Sequence, residues 1–167
     1  MTLKILLSAT LLLSLTQLEA QHDHADEMND HAGKEHHHHR NEIGIANAPV
    51  YFMKEESFSY GLHLHYIHTF HESKFGLGAG YERIFDEHGH NTFGLVLSYR
   101  AVDKLNFILS PGLTIEDASP GESSFAMHAE ASYEFEFGDF HLGPVFEVAY
   151  DPEDVHLSLG IHIGYGF

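Results

Sequence analysis

The last thirteen residues alternate between two kinds of side chain. Val155 and every second residue as far as Phe167 are apolar, whereas the residues between them are His, Ser or Gly. Because successive side chains of a β-strand point to opposite faces, this stretch predicts a strand with one apolar face and one polar or small face. Seven earlier stretches repeat the pattern, and no long helical periodicity interrupts them. The chain is therefore expected to be all-β.

Turn-forming clusters separate eight predicted strands, of which the first is the weakest because it contains Pro49. The predicted strands are 42 to 53, 58 to 70, 74 to 86, 91 to 102, 105 to 116, 124 to 137, 140 to 150 and 155 to 167.

The apolar faces of these strands are rich in Phe and Tyr, which concentrate near the strand ends as membrane-interface belts do. Unpaired backbone groups are not tolerated in hydrocarbon, so membrane strands of this kind close into a barrel. We predict an eight-stranded antiparallel up-and-down transmembrane β-barrel. The alternative is a secreted β-sandwich or lipocalin-like barrel, but a face of Gly, Glu, Ser and His does not supply a hydrophobic core.

The predicted turns form two sets. Short turns at 71–73, 103–104 and 138–139 share one end of the barrel with both termini, and we expect this end to face the periplasm. The turns at 54–57, 86–91, 117–123 and 151–154 are longer on the whole and more acidic, and we expect them to face outward.

Residues 1–20 have the pattern of a secretory signal peptide. Lys4 precedes an apolar run from Ile5 to Leu15, and a polar stretch ends at Ala20. The run is too short to span a membrane, which needs about 20 helical residues, so a retained anchor is the less favoured alternative. The predicted domains are a signal peptide at 1–20, a histidine-rich segment at 21–41 and a barrel at 42–167.

Residues 21–41 combine seven histidines with carboxylates and few apolar side chains, so we expect this segment to be disordered. Imidazole binds Zn, Cu and Ni, and nearby carboxylates raise the local cation concentration. The alternative is a solvated spacer. The candidate metal ligands of this segment are His22, His24, His31, His36, His37, His38 and His39.

Composition excludes several classes of function. The 25 acidic residues exceed the eight Lys and Arg by 17, which disfavours binding to nucleic acid. The absence of Cys excludes disulfides, thiolate catalysis and cysteine zinc sites.

The signal peptide, the strand count and the terminal segment Ile161–Phe167 together resemble the small eight-stranded outer-membrane barrels of Gram-negative bacteria, the group that includes the transmembrane domain of outer-membrane protein A. The terminal segment is similar to the signal that the barrel-assembly machinery recognises. This resemblance implies an outer-membrane location, contact with outer-membrane lipid and a periplasmic amino-terminal segment. It says little about function, because barrels of this kind have varied roles.

The polar faces predict a cluster of carboxylates, imidazoles and one guanidinium in the lumen. A hairpin with its turn at Gly138 and Asp139 would pair residues whose numbers sum to about 277, because this sum is constant along an antiparallel ladder. It would place Glu136 opposite His141 and Glu130 opposite Glu147. The cluster is either a hydrogen-bonded polar core or a divalent-metal site, and the spacing fixes no coordination set. Its candidate members are Glu82, Arg100, His128, Glu130, Glu136, His141 and Glu147.

These features predict a non-catalytic outer-membrane barrel that binds or handles Zn, Cu or Ni ions through its histidine-rich segment, with a metal-transport system as an expected partner. The first alternative is a structural envelope barrel without a specific ligand. The second is a lipid hydrolase using His156 and Ser158 with Glu147 as orienter, which is disfavoured because these residues are predicted to face the lumen and not the lipid.

Overall fold

The computed structural model describes residues 39–167. The predicted signal peptide and all candidate ligands of the histidine-rich segment except His39 lie outside these residues. The described part is all-β, and within it no helix is long and apolar enough to cross a membrane. Its strand segments are β1 Asn41–Phe52, β2 Ser57–Thr69, β3 Phe75–Ile84, β4 His90–Val102, β5 Leu105–Glu116, β6 Ser124–Tyr133, β7 Phe135–Phe137, β8 Phe140–Tyr150 and β9 Val155–Gly166.

The strand segments form a closed eight-stranded antiparallel barrel. From β1 to β6 each strand pairs with the next along the chain, β6 pairs with β8, β8 pairs with β9, and β1 pairs with β9, which closes the sheet. Segments β6 and β7 both pair with β8 and are parts of one strand interrupted at Glu134. The predicted up-and-down barrel is confirmed.

The predicted hairpin register is also confirmed. Glu130 pairs with Glu147, and Glu136 pairs with His141. The predicted strand 124–137 needs one correction, since it is not continuous across Glu134, whose backbone N–H instead donates to the carbonyl of Lys104 at 2.7 Å.

The outer surface is apolar and the lumen is polar. Outward side chains such as Phe58 and Leu95 are 74% and 61% exposed, whereas the alternate residues of the same strands are mostly buried. Aromatic rings pair across strands near both ends, as Phe75 does with Tyr99 near the termini. Leucines such as Leu95 lie between these aromatic belts, so the exterior has the organisation of a lipid-facing band.

Two structural details follow from local sequence. Pro49 lacks an N–H, and the pairing of β1 with β9 is interrupted at Ala48 and Pro49. The proline therefore lies where the hydrogen bonding between these two strands is already interrupted. Gly138 has φ of +69°, the left-handed conformation required at the first position of the two-residue turn that ends at Phe140.

Candidate functional site

The lumen histidines and carboxylates fall into groups at successive levels of the barrel. The group nearest the termini, called the terminal cluster, consists of Glu42, His65, His141 and His162. One oxygen of Glu42 lies 3.4 Å from an imidazole nitrogen of His65, 3.4 Å from one of His141 and 4.0 Å from one of His162. The ring centroids of His65 and His162 are 5.1 Å apart, so one carboxylate is surrounded by three imidazoles.

Arg100 borders the terminal cluster. Its Nη1 donates to Oε2 of Glu134 at 2.7 Å, and its Nη2 lies 3.7 Å from Oε2 of Glu42. Glu134 also accepts a hydrogen bond from the hydroxyl of Ser132 at 2.9 Å. The guanidinium therefore neutralises the carboxylate that lies at the interruption between β6 and β7.

Farther from the termini is the central cluster, defined as His63, Glu82, His128, Glu130, Glu147 and His156. Nδ1 of His128 lies 3.3 Å from Oε2 of Glu147 and 3.4 Å from Oε2 of Glu82. Nδ1 of His63 lies 3.3 Å from Oε2 of Glu130 and 4.0 Å from Oε2 of Glu147. Three buried carboxylates therefore share two imidazole nitrogens.

His156 completes the central cluster differently. It is 4% exposed, and neither of its ring nitrogens has a hydrogen-bond partner among the described residues. Its ring lies 5.9 Å from that of His128 and 5.2 Å from that of Phe52, measured between centroids.

Phe52 separates the central cluster from a third group at the end away from the termini. Phe52 packs with Val50 and Ile84 in a buried apolar cluster. Beyond it, Nδ1 of His90 lies 2.8 Å from Oδ2 of Asp86. The polar lumen is thus divided by an apolar layer.

Small residues make room for the imidazoles. A side chain at Gly44 would collide with the rings of His65 and His162, and one at Gly164 would collide with the ring of His141. The small-residue positions of β1 and β9 therefore determine where imidazoles fit within the narrow lumen of an eight-stranded barrel.

The structure separates the residues of the predicted lumen cluster. Glu82, His128, Glu130 and Glu147 lie together in the central cluster. Arg100 and His141 lie at the terminal end instead, because their strand positions are at a different level of the barrel.

The predicted member Glu136 lies at the edge of the polar lumen. It pairs with His141 as predicted, and it is exposed in β7. The predicted cluster also omitted Glu42, His63, His65, His156 and His162, although the period-two pattern placed all five on the inner face. Strand parity identifies whether a side chain faces the lumen or the outside, but it does not give the position of the side chain along the barrel axis.

One ion pair lies at the rim away from the termini. Nη2 of Arg83 donates to Oδ2 of Asp117 at 2.6 Å, and the amide of Asn91 donates to Oδ1 at 3.0 Å. These hydrogen bonds, with that from Arg83 as the largest cause, hold the pKa of Asp117 below its ordinary value.

Comparison with known proteins identifies the fold but not a family. No family model matches the sequence, and no curated protein matches it. Among solved structures, the chain is similar to Neisserial surface protein A, with 10% identity, a TM-score of 0.57, and coverage of 76% of this chain and 96% of that one.

Two further structures give the same result. The attachment invasion locus protein Ail of Yersinia pestis is 14% identical with a TM-score of 0.52, covering 78% of this chain and 99% of that one. The amino-terminal barrel domain of Pseudomonas aeruginosa OprF is 18% identical with a TM-score of 0.51, with coverage of 78% and 99%. The expected resemblance to small eight-stranded outer-membrane barrels is confirmed as a resemblance of fold.

Proposed function

We propose that the protein is a non-catalytic outer-membrane barrel that binds transition-metal ions through its histidine-rich segment. The apolar exterior supports a membrane location, because such a surface would be unstable in water. Strand length supports it too, since strands such as β2, β3 and β4 have 10 to 13 residues and about 9–11 residues span a bilayer. The fold likeness to barrels such as the outer membrane protein Ail supports the same location.

The position of His39 is the observation that carries the metal-binding proposal. Its side chain packs over Gly166, whose strand partner is Glu42 of the terminal cluster, and its Nε2 lies 3.1 Å from Oδ1 of Asp139. His39, the last histidine of the segment, thus lies at the mouth that contains three imidazoles around one carboxylate. Imidazole nitrogens and carboxylate oxygens are the ligands that suit Zn, Cu and Ni ions.

A non-catalytic role is supported by the placement of the candidate acyl-transfer residues. His156 and Ser158 are 4% and 8% exposed and face the lumen, and Ser158 pairs with Glu147 across β8 and β9. A lipid ester at the outer surface does not reach these groups. The barrel-assembly machinery and a metal-transport system are the proposed protein partners, with the termini on the periplasmic side.

Metal titration tests the function. The protein without its signal peptide is compared with a tail variant in which the seven histidines at 22, 24, 31 and 36–39 are replaced by Ser. We expect the tail variant to lose most binding sites for Cu²⁺ and Zn²⁺ in calorimetry. Equal binding by the two proteins would refute a role of the segment and favour a structural barrel with a spacer.

Membrane placement has a separate test. A folded barrel migrates differently on a gel before and after boiling and is extracted from membranes only with detergent. Recovery of the protein in the soluble periplasmic fraction would contradict the proposed location.

A further inference from the structure

The central cluster contains an arrangement of four side chains that a hydrogen-bonded core does not explain. One nitrogen or oxygen from each of Glu82, His128, Glu147 and His156 lies within 4.8 Å of the others. The four residues come from four strands, β3, β6, β8 and β9, and each is at most 5% exposed. The barrel fold therefore converges two imidazoles and two carboxylates on one small volume.

Hydrogen bonds satisfy this group only in part. Nδ1 of His128 carries at most one proton, yet carboxylate oxygens of Glu147 and Glu82 lie 3.3 and 3.4 Å from it. Oε2 of Glu82 and both nitrogens of His156 have no hydrogen-bond partner among the described residues. Buried polar atoms without a partner are costly, so the three such atoms around His128 indicate that this point binds something.

Charge leads to the same conclusion. Glu130 adds a third carboxylate beside Glu82 and Glu147. Among the described Lys and Arg residues, Arg100 alone points into the lumen, and it is bonded to Glu134 near the termini. Carboxylates this close in a buried site repel one another unless a cation or proton lies between them.

Two of the distances match the spacing around one metal ion, and all four ligand atoms lie within 4.8 Å of one another. Ligand atoms about 2.0 Å from a tetrahedral zinc ion lie about 3.3 Å from one another. The two distances from Nδ1 of His128 to its carboxylate neighbours already have this value. A small free space, comparable to one water molecule, borders Glu82 and Glu147 and is also lined by His63 and Glu130.

We propose that Glu82, His128, Glu147 and His156 bind one divalent transition-metal ion, with zinc as the best fit, inside the barrel. Two imidazole and two carboxylate ligands suit zinc and leave the ion with balanced charge. This site is buried, and it does not depend on the histidine-rich segment. Glu130 and His63 lie beside it, where Nδ1 of His63 is at hydrogen-bond distance from Glu130 and 4.0 Å from the ligand Glu147.

The test is made in the tail variant, so that the proposed function and this site give separate results. The protein is refolded in detergent with zinc, and zinc is then titrated away with a chelator of known affinity. We expect one zinc per chain, and X-ray absorption should show two nitrogen and two oxygen ligands at about 2.0–2.2 Å. His156→Ala should weaken zinc binding at least tenfold.

Two further variants separate metal binding from a polar core. Glu82→Gln keeps the shape of the side chain but removes its charge, so it should fold normally but bind zinc at least tenfold more weakly. His68→Ala is the matched control, because His68 is exposed on the outer face and should leave the affinity unchanged. Folding of each variant is checked by its shift on boiling.

Absence of zinc from the tail variant would overturn the site even if the histidine-rich segment binds metal. Affinity unchanged in both His156→Ala and Glu82→Gln would also overturn it. Loss of binding on removing the tail histidines, with the single lumen ion retained, would support both proposals.

Discussion

Removing the guanidinium of Arg100 should cost the barrel much of its stability. The side chain of Glu134 is 1% exposed and that of Arg100 is 26% exposed, and their charged atoms are 2.7 Å apart. Arg100→Met keeps the aliphatic volume but leaves a buried carboxylate with the hydroxyl of Ser132 as its remaining close donor. Removing one partner of a buried pair costs about 3–5 kcal/mol, and because Arg100 is a quarter exposed we expect about 3 kcal/mol.

The measurement is equilibrium unfolding by urea in lipid vesicles. The chain has no Trp, so circular dichroism and the gel shift replace tryptophan fluorescence. The double variant Arg100→Met/Glu134→Gln should lose less stability than the two single variants lose in sum, and the difference should be a coupling energy of about 2 kcal/mol. Arg83→Met is the control, because its partner Asp117 is 60% exposed and water can solvate the carboxylate left behind, so stability should change little. A loss below about 1 kcal/mol for Arg100→Met, or strict additivity, would refute the argument.

Three other perturbations test different parts of the structure. Leu95→Arg, in the middle of the outer face, should destabilise the barrel in vesicles by about 2–4 kcal/mol. Val102→Arg, at a strand end, should destabilise it by only about 0–1 kcal/mol. Equal losses of stability would contradict the membrane placement. Arg83→Gln should raise the pKa of Asp117 from its lowered value toward its ordinary 3.8, as followed by NMR titration. The Arg83–Asp117 pair stabilises the fold above pH 3.8, and this contribution is lost as the pH falls through the lowered pKa. Gly44→Ala should cost about 1–3 kcal/mol in urea unfolding because the new methyl group meets two imidazole rings, and an unchanged midpoint would show that the rings move aside freely.

Sequence periodicity predicted the fold in detail because lipid imposes a strict rule on alternate residues. The predicted limits of the strand beginning at Leu105 agree with β5, and the sum rule at Gly138 gave the pairing of Glu130 with Glu147. The interruption at Glu134 was missed, because the residue keeps the polar, inward parity of its neighbours and nothing in its side chain signals a break.

The site was harder to predict than the fold. Parity assigns His156 and His141 to the same inner face, but His141 pairs with Gly164 near one end of the β8–β9 hairpin and His156 with Ala149 near the other, so they lie in different clusters. Grouping residues from strands that are not neighbours requires the register across several hairpins, and each hairpin depends on a turn length that sequence fixes loosely. Composition therefore indicated candidate metal ligands but could not sort them into groups.

The distribution of the imidazoles favours binding over conduction. Three imidazole rings follow one another along the lumen, with centroid distances of 6.5 Å from His63 to His128 and 5.9 Å from His128 to His156. The next ring is the phenyl group of Phe52, whose centroid lies 5.9 Å from that of His90. A phenyl ring packed between aliphatic side chains offers an ion neither a nitrogen nor an oxygen ligand, and the lumen of an eight-stranded barrel is too narrow for hydrated ions to pass it. The ion of the proposed lumen site would therefore be held beneath this layer, which is consistent with binding and not with conduction.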